Sequence, residues 1–266
     1  YFNLALEEYI FNKAREDEKY FMLWQNDNAI IVGKNQNTIE EINQDFVREN
    51  NTKVVRRITG GGAVYHDLGN INFSFIESQT DLANLDFSVF TKPVIEALAK
   101  IGVKAELRGR NDLTIDGKKF SGNSQLIRGN KVLHHGTILF NSNLGFIQNA
   151  LKVKPDKIES KGIKSVRSRV TNIIDHLEKD VTVDEFKKIL IENMFKENEI
   201  SEYVLTPEDL EGARKLRDEK FSRWEWNYGR SPQYEIRKER RYDCGGVTVS
   251  MQVKQGKITD IAIQGD

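Results

Sequence analysis

Cysteine is almost missing from this chain. Cys244 is the only one in 266 residues, so no intrachain disulfide and no multi-cysteine metal site can form, which fits a reducing cytoplasm. Proline is scarce as well, with four in all, and there is no internal repeat or low-complexity tract. No run approaches the ~18 apolar residues needed to span a bilayer. The start, Tyr1-Phe2-Asn3, lacks the basic and apolar regions of a secretory signal. Net charge is absent too: 40 Lys+Arg stand against 40 Asp+Glu, which argues against a bulk polyanion binder and makes nucleic acid an unlikely partner. What is present, 38% hydrophobic and 30% charged residues, suits a globular protein with a sizeable core. The length favours one large domain, or one large and one small.

The pattern along the chain predicts a helix over 2–18, with Phe2, Leu6, Tyr9, Ile10 and Ala14 near helical spacing and Asn3 available as its cap. Apolar runs at 20–24 and 29–32 predict buried strands. Val54, Val55 and Ile58 lead as a strand into three glycines; 72–76 predicts the next strand and 86–101 a helix. Strands 113–115 and 118–121 flank an Asp116-Gly117 turn, a hairpin signal. A second hairpin turns at Arg128-Gly129-Asn130 and returns along 131–140. Residues 152–169 hold seven Lys or Arg against two acids and no periodicity. They predict a loop longer than the ~12–15 residues above which a loop is functional or disordered. A Thr182-Val183-Asp184-Glu185 capping box opens a helix to about 196, and Thr206-Pro207 opens another. From Tyr234 the alternation is that of strands, with Val247, Val249, Met251 and Val253 on one face. A domain boundary is expected near 180–200. The chain stops at Asp266 directly after a strand, so it reads as continuing further.

Four segments could carry chemistry. In Arg56-Arg57-Ile58-Thr59-Gly60-Gly61-Gly62-Ala63-Val64-Tyr65-His66-Asp67, glycines after a strand allow close approach of a ligand to the main chain. Exposed amides beside two arginines suit an anion. The spacing is neither a P-loop nor a dinucleotide fingerprint, and a plain strand-to-strand turn is the alternative. In Gly109 to Gly122, hairpin geometry can bring the Asp112 carboxylate near the Lys119 amine. That amine could neutralise a phosphate or an attacking carboxylate, and the acid could orient it or hold a phosphate-bound metal. A solvated hairpin with a modest ion pair is the alternative there. In His134-His135-Gly136-Thr137, neighbouring histidines point to opposite faces and cannot easily share a metal. His66 and His176 read as structural, and Tyr20, Phe21 and Trp24 as core. The basic segment 157–170 could close over a phosphate-bearing ligand as a lid, or be a solvated loop. Trp224, Trp226 and Tyr228 could anchor the two domains together. Cys244 reads as inert.

Taken in order, these segments resemble the lipoate–protein ligases. The family's Arg-Arg-x-x-Gly-Gly-Gly-Ala-Val stretch, with a following aromatic, His-Asp and Gly-Asn, is matched from Arg56 to Asp67 and at Gly69-Asn70. Its Asn-Asp before Lys-x-Ser-Gly is matched by Asn111-Asp112 and Lys119-Phe120-Ser121-Gly122. Its His-His-Gly-Thr is matched at His134 to Thr137, and Lys161 to Val170 matches its Lys-Gly-Ile-x-Ser-Val-Arg-Ser-Arg-Val loop. Asn3-Leu4-Ala5-Leu6-Glu7-Glu8 matches its first helix. The ordered set runs from residue 3 to about 235, and against the family the chain looks trimmed at both ends.

The resemblance implies an α+β fold: a mixed, mostly antiparallel sheet flanked by helices, as in the class II synthetase-like biotin/lipoate ligase core. A catalytic domain over 1–185 precedes a smaller α/β C-terminal domain over 186–266, expected to be incomplete. It implies a two-step reaction in which lipoate and MgATP give lipoyl-AMP, and a lysine of an acceptor lipoyl domain then takes the lipoyl group. The acceptors implied are 2-oxoacid dehydrogenase E2 subunits and the glycine cleavage H protein, in the cytoplasm, with no nucleic acid or membrane partner. Lys119 is the implied catalytic residue. Adenylate contacts are implied at Arg56, Gly61, Gly62, Ala63, Val64, Tyr65, Asn70, Asp112, Thr137 and Lys161, lipoate contacts at Lys119, Gly61 and His135, and a Mg2+ contact at Asp112. The alternatives are an octanoyl or lipoyl transferase working without ATP, or a non-catalytic protein that binds lipoate or lipoyl domains. Transferases resembling this family use a cysteine thioester, and residues 1–200 contain no cysteine. Biotin ligases carry a Gly-Arg-Gly-Arg type loop where this chain has Arg57 to Gly62.

Overall fold

The computed structural model describes residues 1–82, 85–152, 169–195, 200–229, 236–254 and 257–266. In chain order the elements are α1 (Phe2–Lys13), β1 (Tyr20–Trp24), β2 (Ala29–Val32), α2 (Thr38–Glu41), α3 (Gln44–Glu49), β3 (Lys53–Arg56), β4 (Val64–His66) and β5 (Asn70–Ser78). Then come α4 (Ser88–Lys100), β6 (Glu106–Arg108), β7 (Asp112–Ile115), β8 (Lys118–Arg128), β9 (Lys131–Leu139), α5 (Leu144–Ala150) and α6 (Val183–Met194). The last are α7 (Pro207–Leu216), α8 (Trp224–Asn227), β10 (Ile236–Tyr242), β11 (Gly245–Lys254) and β12 (Lys257–Gly265).

The main sheet has six strands in the order β1-β5-β9-β8-β7-β6, every neighbour antiparallel. Local chemistry explains its hairpins. Asp116 and Gly117 take φ of 50° and 74°, the left-handed pair a two-residue hairpin turn needs. One face of this sheet packs on α4 and α6, through Phe73, Val94, Leu98, Phe120, Phe140 and Phe186. The other meets α1 and a small sheet ordered β3-β2-β4, in which β2 runs parallel to β3 and antiparallel to β4. The fold is therefore α+β with a mixed, mostly antiparallel core. A separate three-stranded antiparallel sheet, β10-β11-β12, follows. The expected capping box is present at Thr182–Glu185, and the expected helix start at Thr206-Pro207 is closed by a second box, Thr206–Asp209.

Helix α1 departs from its sequence reading. Its buried residues are Leu4, Ala5, Glu7, Glu8, Ile10 and Phe11, whereas Phe2, Leu6 and Tyr9 are half-buried. The reason is tertiary: the sheet covers one side, while Leu205, Leu216 and Phe221 from far along the chain pack against the same cluster. Lys220 reaches Glu8 at 2.6 Å. Asn3 does not cap the helix either, because its amide donates to Gln25 O at 2.6 Å and Asn26 Oδ1 at 3.0 Å.

Strand register sets up the site. Trp24 pairs with Asn72, and Asn72 with Thr137. The Gly122 amide donates to Thr137 Oγ1 at 3.2 Å, and Gly122 pairs with Asp112. A row of side chains thus crosses five strands, about 19 Å at ~4.8 Å per strand.

Candidate active site

A cleft of about 360 Å³ lies along that row. At the β1 end its walls are Leu4, Trp24, Ile31, Ala63 and Val64, apolar apart from His66 and Asn72. At the β7–β8 end they are Asn111, Asp112, Lys119 and Arg169. The cleft therefore grades from oily to cationic.

The Lys119 amine lies 2.7 Å from Asp112 Oδ1, both side chains about one-third exposed (37% and 27%). A register shift between Leu113 and Thr114 adds a residue to β8 and twists the hairpin locally. The strand is pinned from outside the hairpin as well. Lys119 N donates to Arg169 O at 2.7 Å, and Thr171 N to Lys119 O at 3.0 Å. A Cβ on Gly122 would lie 2.8 Å from Lys119 Nζ, so the missing side chain leaves the amine its place.

The triglycine turn is built by Arg57. Its Nε donates to Thr59 Oγ1 and Gly60 O, both at 3.1 Å. Nη2 donates to Gly60 O at 2.6 Å and Gly62 O at 2.9 Å, and Nη1 to Ile31 O at 3.1 Å. Burial pushes the Arg57 pKa down to about 10, opposed by the negative charge of Glu7, so the guanidinium stays charged at neutral pH. A Cβ on Gly33 would sit 1.9 Å from the Gly61 carbonyl oxygen, which restricts that position to glycine. Gly61, Gly62, Ala63 and Val64 all line the cleft.

The histidines part as alternation requires. His135 lines the cleft, its Nδ1 2.9 Å from Glu7 Oε1 and its Nε2 2.8 Å from Thr59 Oγ1. His134 lies on the opposite face, stacked on Phe90 and bonded to Gln125. Burial holds His134 neutral, its pKa pushed down to about 3.

The structure gathers Gly61, Gly62, Ala63, Val64, Asp112, Lys119, His135 and Thr137 in one cleft. It does not bring Arg56, Tyr65 or Asn70 to that wall. Arg56 is fully buried and donates to the carbonyls of Gly33, Lys34, Gln36, Trp226 and Asn227 and to Thr38 Oγ1. Tyr65 stacks on Phe146, and Asn70 donates to Asn72 Oδ1 at 3.0 Å. Lys161 and the basic segment 153–168 lie outside the described residues; Arg169, at its end, lines the cleft. Sequence reasoning placed Arg57 beside the glycines but missed Trp24 and His66 as walls, and Arg241 and Asp266 from the C-terminal region. Burial pushes the His66 pKa down to about 3.

The description of the lipoyl protein ligase A/B catalytic domain matches residues 1–195. The chain belongs to the lipoate–protein ligase family. Residues 231–266 match the bacterial lipoate protein ligase C-terminus. The chain is 49% identical over 264 residues to lipoate–protein ligase 1 of Staphylococcus aureus, covering 99% of this chain and 80% of that protein. Among solved structures, it is similar to an archaeal bi-partite lipoate protein ligase from Thermoplasma acidophilum, studied with its E2 lipoyl domain. That match has a TM-score of 0.75 at 32% identity and covers 88% of this chain and 94% of the other. A lipoate-protein ligase A bound with ATP has a TM-score of 0.73 at 30% identity, covering 86% and 93%.

Proposed function

We propose that this cleft is where the ligase activates lipoate with ATP and then delivers the lipoyl group to a lysine of a lipoyl domain. The observation that carries the assignment is the Lys119–Asp112 pair at the charged end of a cleft whose far end is apolar. A carboxylate attacking a phosphate brings two anions together, so a cation has to stand between them. In the first step a lipoate oxygen bonds to the α-phosphorus and pyrophosphate leaves. The Lys119 amine, oriented by Asp112, holds the two oxygens and stabilises the charge that develops. In the second step the acceptor amine attacks the acyl carbon, loses a proton, and AMP leaves as an amide forms. The glycine turn cradles the adenylate and the oily end takes the dithiolane tail.

Magnesium fits as an ion carried in by the triphosphate. Asp112, beside Lys119, is a cleft carboxylate that could share it, and no group of three acid, His or Cys side chains forms a protein cage among the described residues. Bound there, it would neutralise phosphate charge. We assign catalysis to residues 1–185 and an accessory role to 186–266. We assign the E2 subunits of 2-oxoacid dehydrogenases and the glycine cleavage H protein as acceptors, in the cytoplasm. The E2 lipoyl domain studied with the archaeal relative supports the first of these acceptors. The transferase alternative lacks its nucleophile, since Cys244 is exposed and does not line the cleft.

The test is lipoate-dependent exchange of pyrophosphate into ATP. Lys119→Ala should cut the exchange rate by roughly 10²–10³ while ATP still binds. Exchange within a few-fold of the unsubstituted chain would remove Lys119 from the chemistry.

A further inference from the structure

A carboxylate is buried beneath the cleft, and the reaction as described has no use for it. Glu7 of α1 is wholly inaccessible, and a charge so placed is costly unless paired and hydrogen-bonded. It faces two strands at once. Ser74 Oγ on β5 donates to Glu7 Oε1 at 2.6 Å, and His135 Nδ1 on β9 lies 2.9 and 3.1 Å from the two carboxylate oxygens. Ser74 and His135 are direct partners across those strands, so one helix residue reaches both.

Each branch runs on to a wall of the cleft. On the acyl side Trp24 Nε1 donates to Ser74 Oγ at 2.9 Å. On the nucleotide side Thr59 Oγ1 meets His135 Nε2 at 2.8 Å and accepts from Arg57 Nε at 3.1 Å. The donors and acceptors can all be matched. The indole and guanidinium can only donate and the carboxylate can only accept. Ser74 therefore passes its proton to Glu7 and His135 aims its Nδ1 proton at Glu7, while Thr59 Oγ1, accepting from Arg57, shares a hydrogen bond with His135 Nε2. The network is continuous from the indole at the oily end to the guanidinium that holds the triglycine turn.

We propose that Glu7 is a positioning residue for the ligase reaction, a single carboxylate that fixes Trp24 through Ser74 and the triglycine turn through His135 and Thr59. It touches neither substrate. Both binding ends of the cleft depend on it, because Ser74 Oγ and His135 Nδ1 meet at its Oε1, and His135 Nδ1 also lies 3.1 Å from Oε2. Glutamine has nearly the same shape but no charge, so bonds that a carboxylate strengthens become neutral ones, and it sets an NH2 where one carboxylate oxygen stood. With that NH2 at the Oε2 position, His135 Nδ1–H faces a donor unless its proton moves to Nε2, which reverses the Thr59 contact. At the Oε1 position both branches face it, and buried networks are penalised when partly satisfied.

The proposal rests on the ligase reading of the cleft, and calorimetric binding tests it without turnover. Glu7→Gln should weaken both lipoate and ATP by roughly 10-fold each, the cost of about one buried bond lost, with binding corrected for folded fraction from an unfolding curve. Branch variants then separate positioning from general destabilisation. Ser74→Ala alone should weaken lipoate but not ATP, and Thr59→Val alone ATP more than lipoate. Adding either to Glu7→Gln should cost less affinity for that ligand than the same change costs alone. Unchanged affinities in Glu7→Gln, or full additivity in both double variants, would overturn the proposal. Absence of pyrophosphate exchange in the unsubstituted chain would instead count against the ligase reading alone.

Discussion

Two adjacent arginines end in different jobs because their side chains point opposite ways. Arg57 faces the turn and the cleft; Arg56 faces the shell of carbonyls behind β3. Sequence order alone favours neither, and the resemblance carried the adenylate contact onto Arg56, the one that points away. Lys119 shows the converse, a residue legible from its hairpin and confirmed beside Asp112. Its placement leans on Gly122, whose absent side chain would stand 2.8 Å from Nζ and 3.0 Å from Cε. Gly122→Ala should move the amine off Asp112 and reduce kcat of lipoate-dependent exchange about 10-fold, while the unfolding temperature stays within a few degrees. A kcat unchanged within two-fold would show that the amine tolerates displacement.

At the level of elements, caps and tight turns were readable because they are settled within a few residues. The Thr182 and Thr206 boxes and the Asp116-Gly117 turn need no distant partner. Strands β1 and β2 were readable from apolar runs. The face of α1 was not, since α7 and the segment after it press on a side the sequence reads as open. Arg56 joins α2, β3 and α8 in the same non-local way: its backbone N donates to Asn227 Oδ1 at 2.8 Å and its carbonyl accepts from Trp226 Nε1 at 2.7 Å. Trp226 thus ties α8 to β3, whereas Trp224 is 63% exposed. Arg56→Lys keeps the charge but not the planar fork of donors. It should lower unfolding free energy by at least ~2 kcal/mol, measured by urea titration, with kcat in the folded fraction held within a few-fold. An unchanged urea midpoint would refute the structural role.

For the whole molecule, two buried histidines link stability to pH. His66 and His134 hold pKa values near 3 against an ordinary 6.5, each lowered chiefly by burial. The unfolded chain therefore binds more protons than the folded one between those limits. Stability is full above about pH 6.5 and falls as the medium is acidified through the unfolded value. From pH 7 to pH 5 each histidine should remove about 2 kcal/mol. The check is the unfolding free energy at both pH values, in the parent and in His134→Gln, where about half of the histidine-dependent loss should disappear. An identical slope in that variant would mean His134 is not neutral in the fold.

By itself the amino-acid order determined the fold class, the two hairpins, the capped helices and a set of motifs whose succession marks the ligase family, with Lys119 at its centre. Those features are local, or are repeated in order along the chain, so they can be read without knowing what lies next to what. The tertiary structure alone decided that Trp24, His66 and Arg57 wall the cleft, that Arg56 does not, and that Glu7 of the first helix lies beneath the partner strands β5 and β9. The physical reason is pairing across distance. Strands β1, β5 and β9 become neighbours out of sequence order, beside the β7–β8–β9 hairpins, and side-chain alternation then sends each residue to the cleft or away from it.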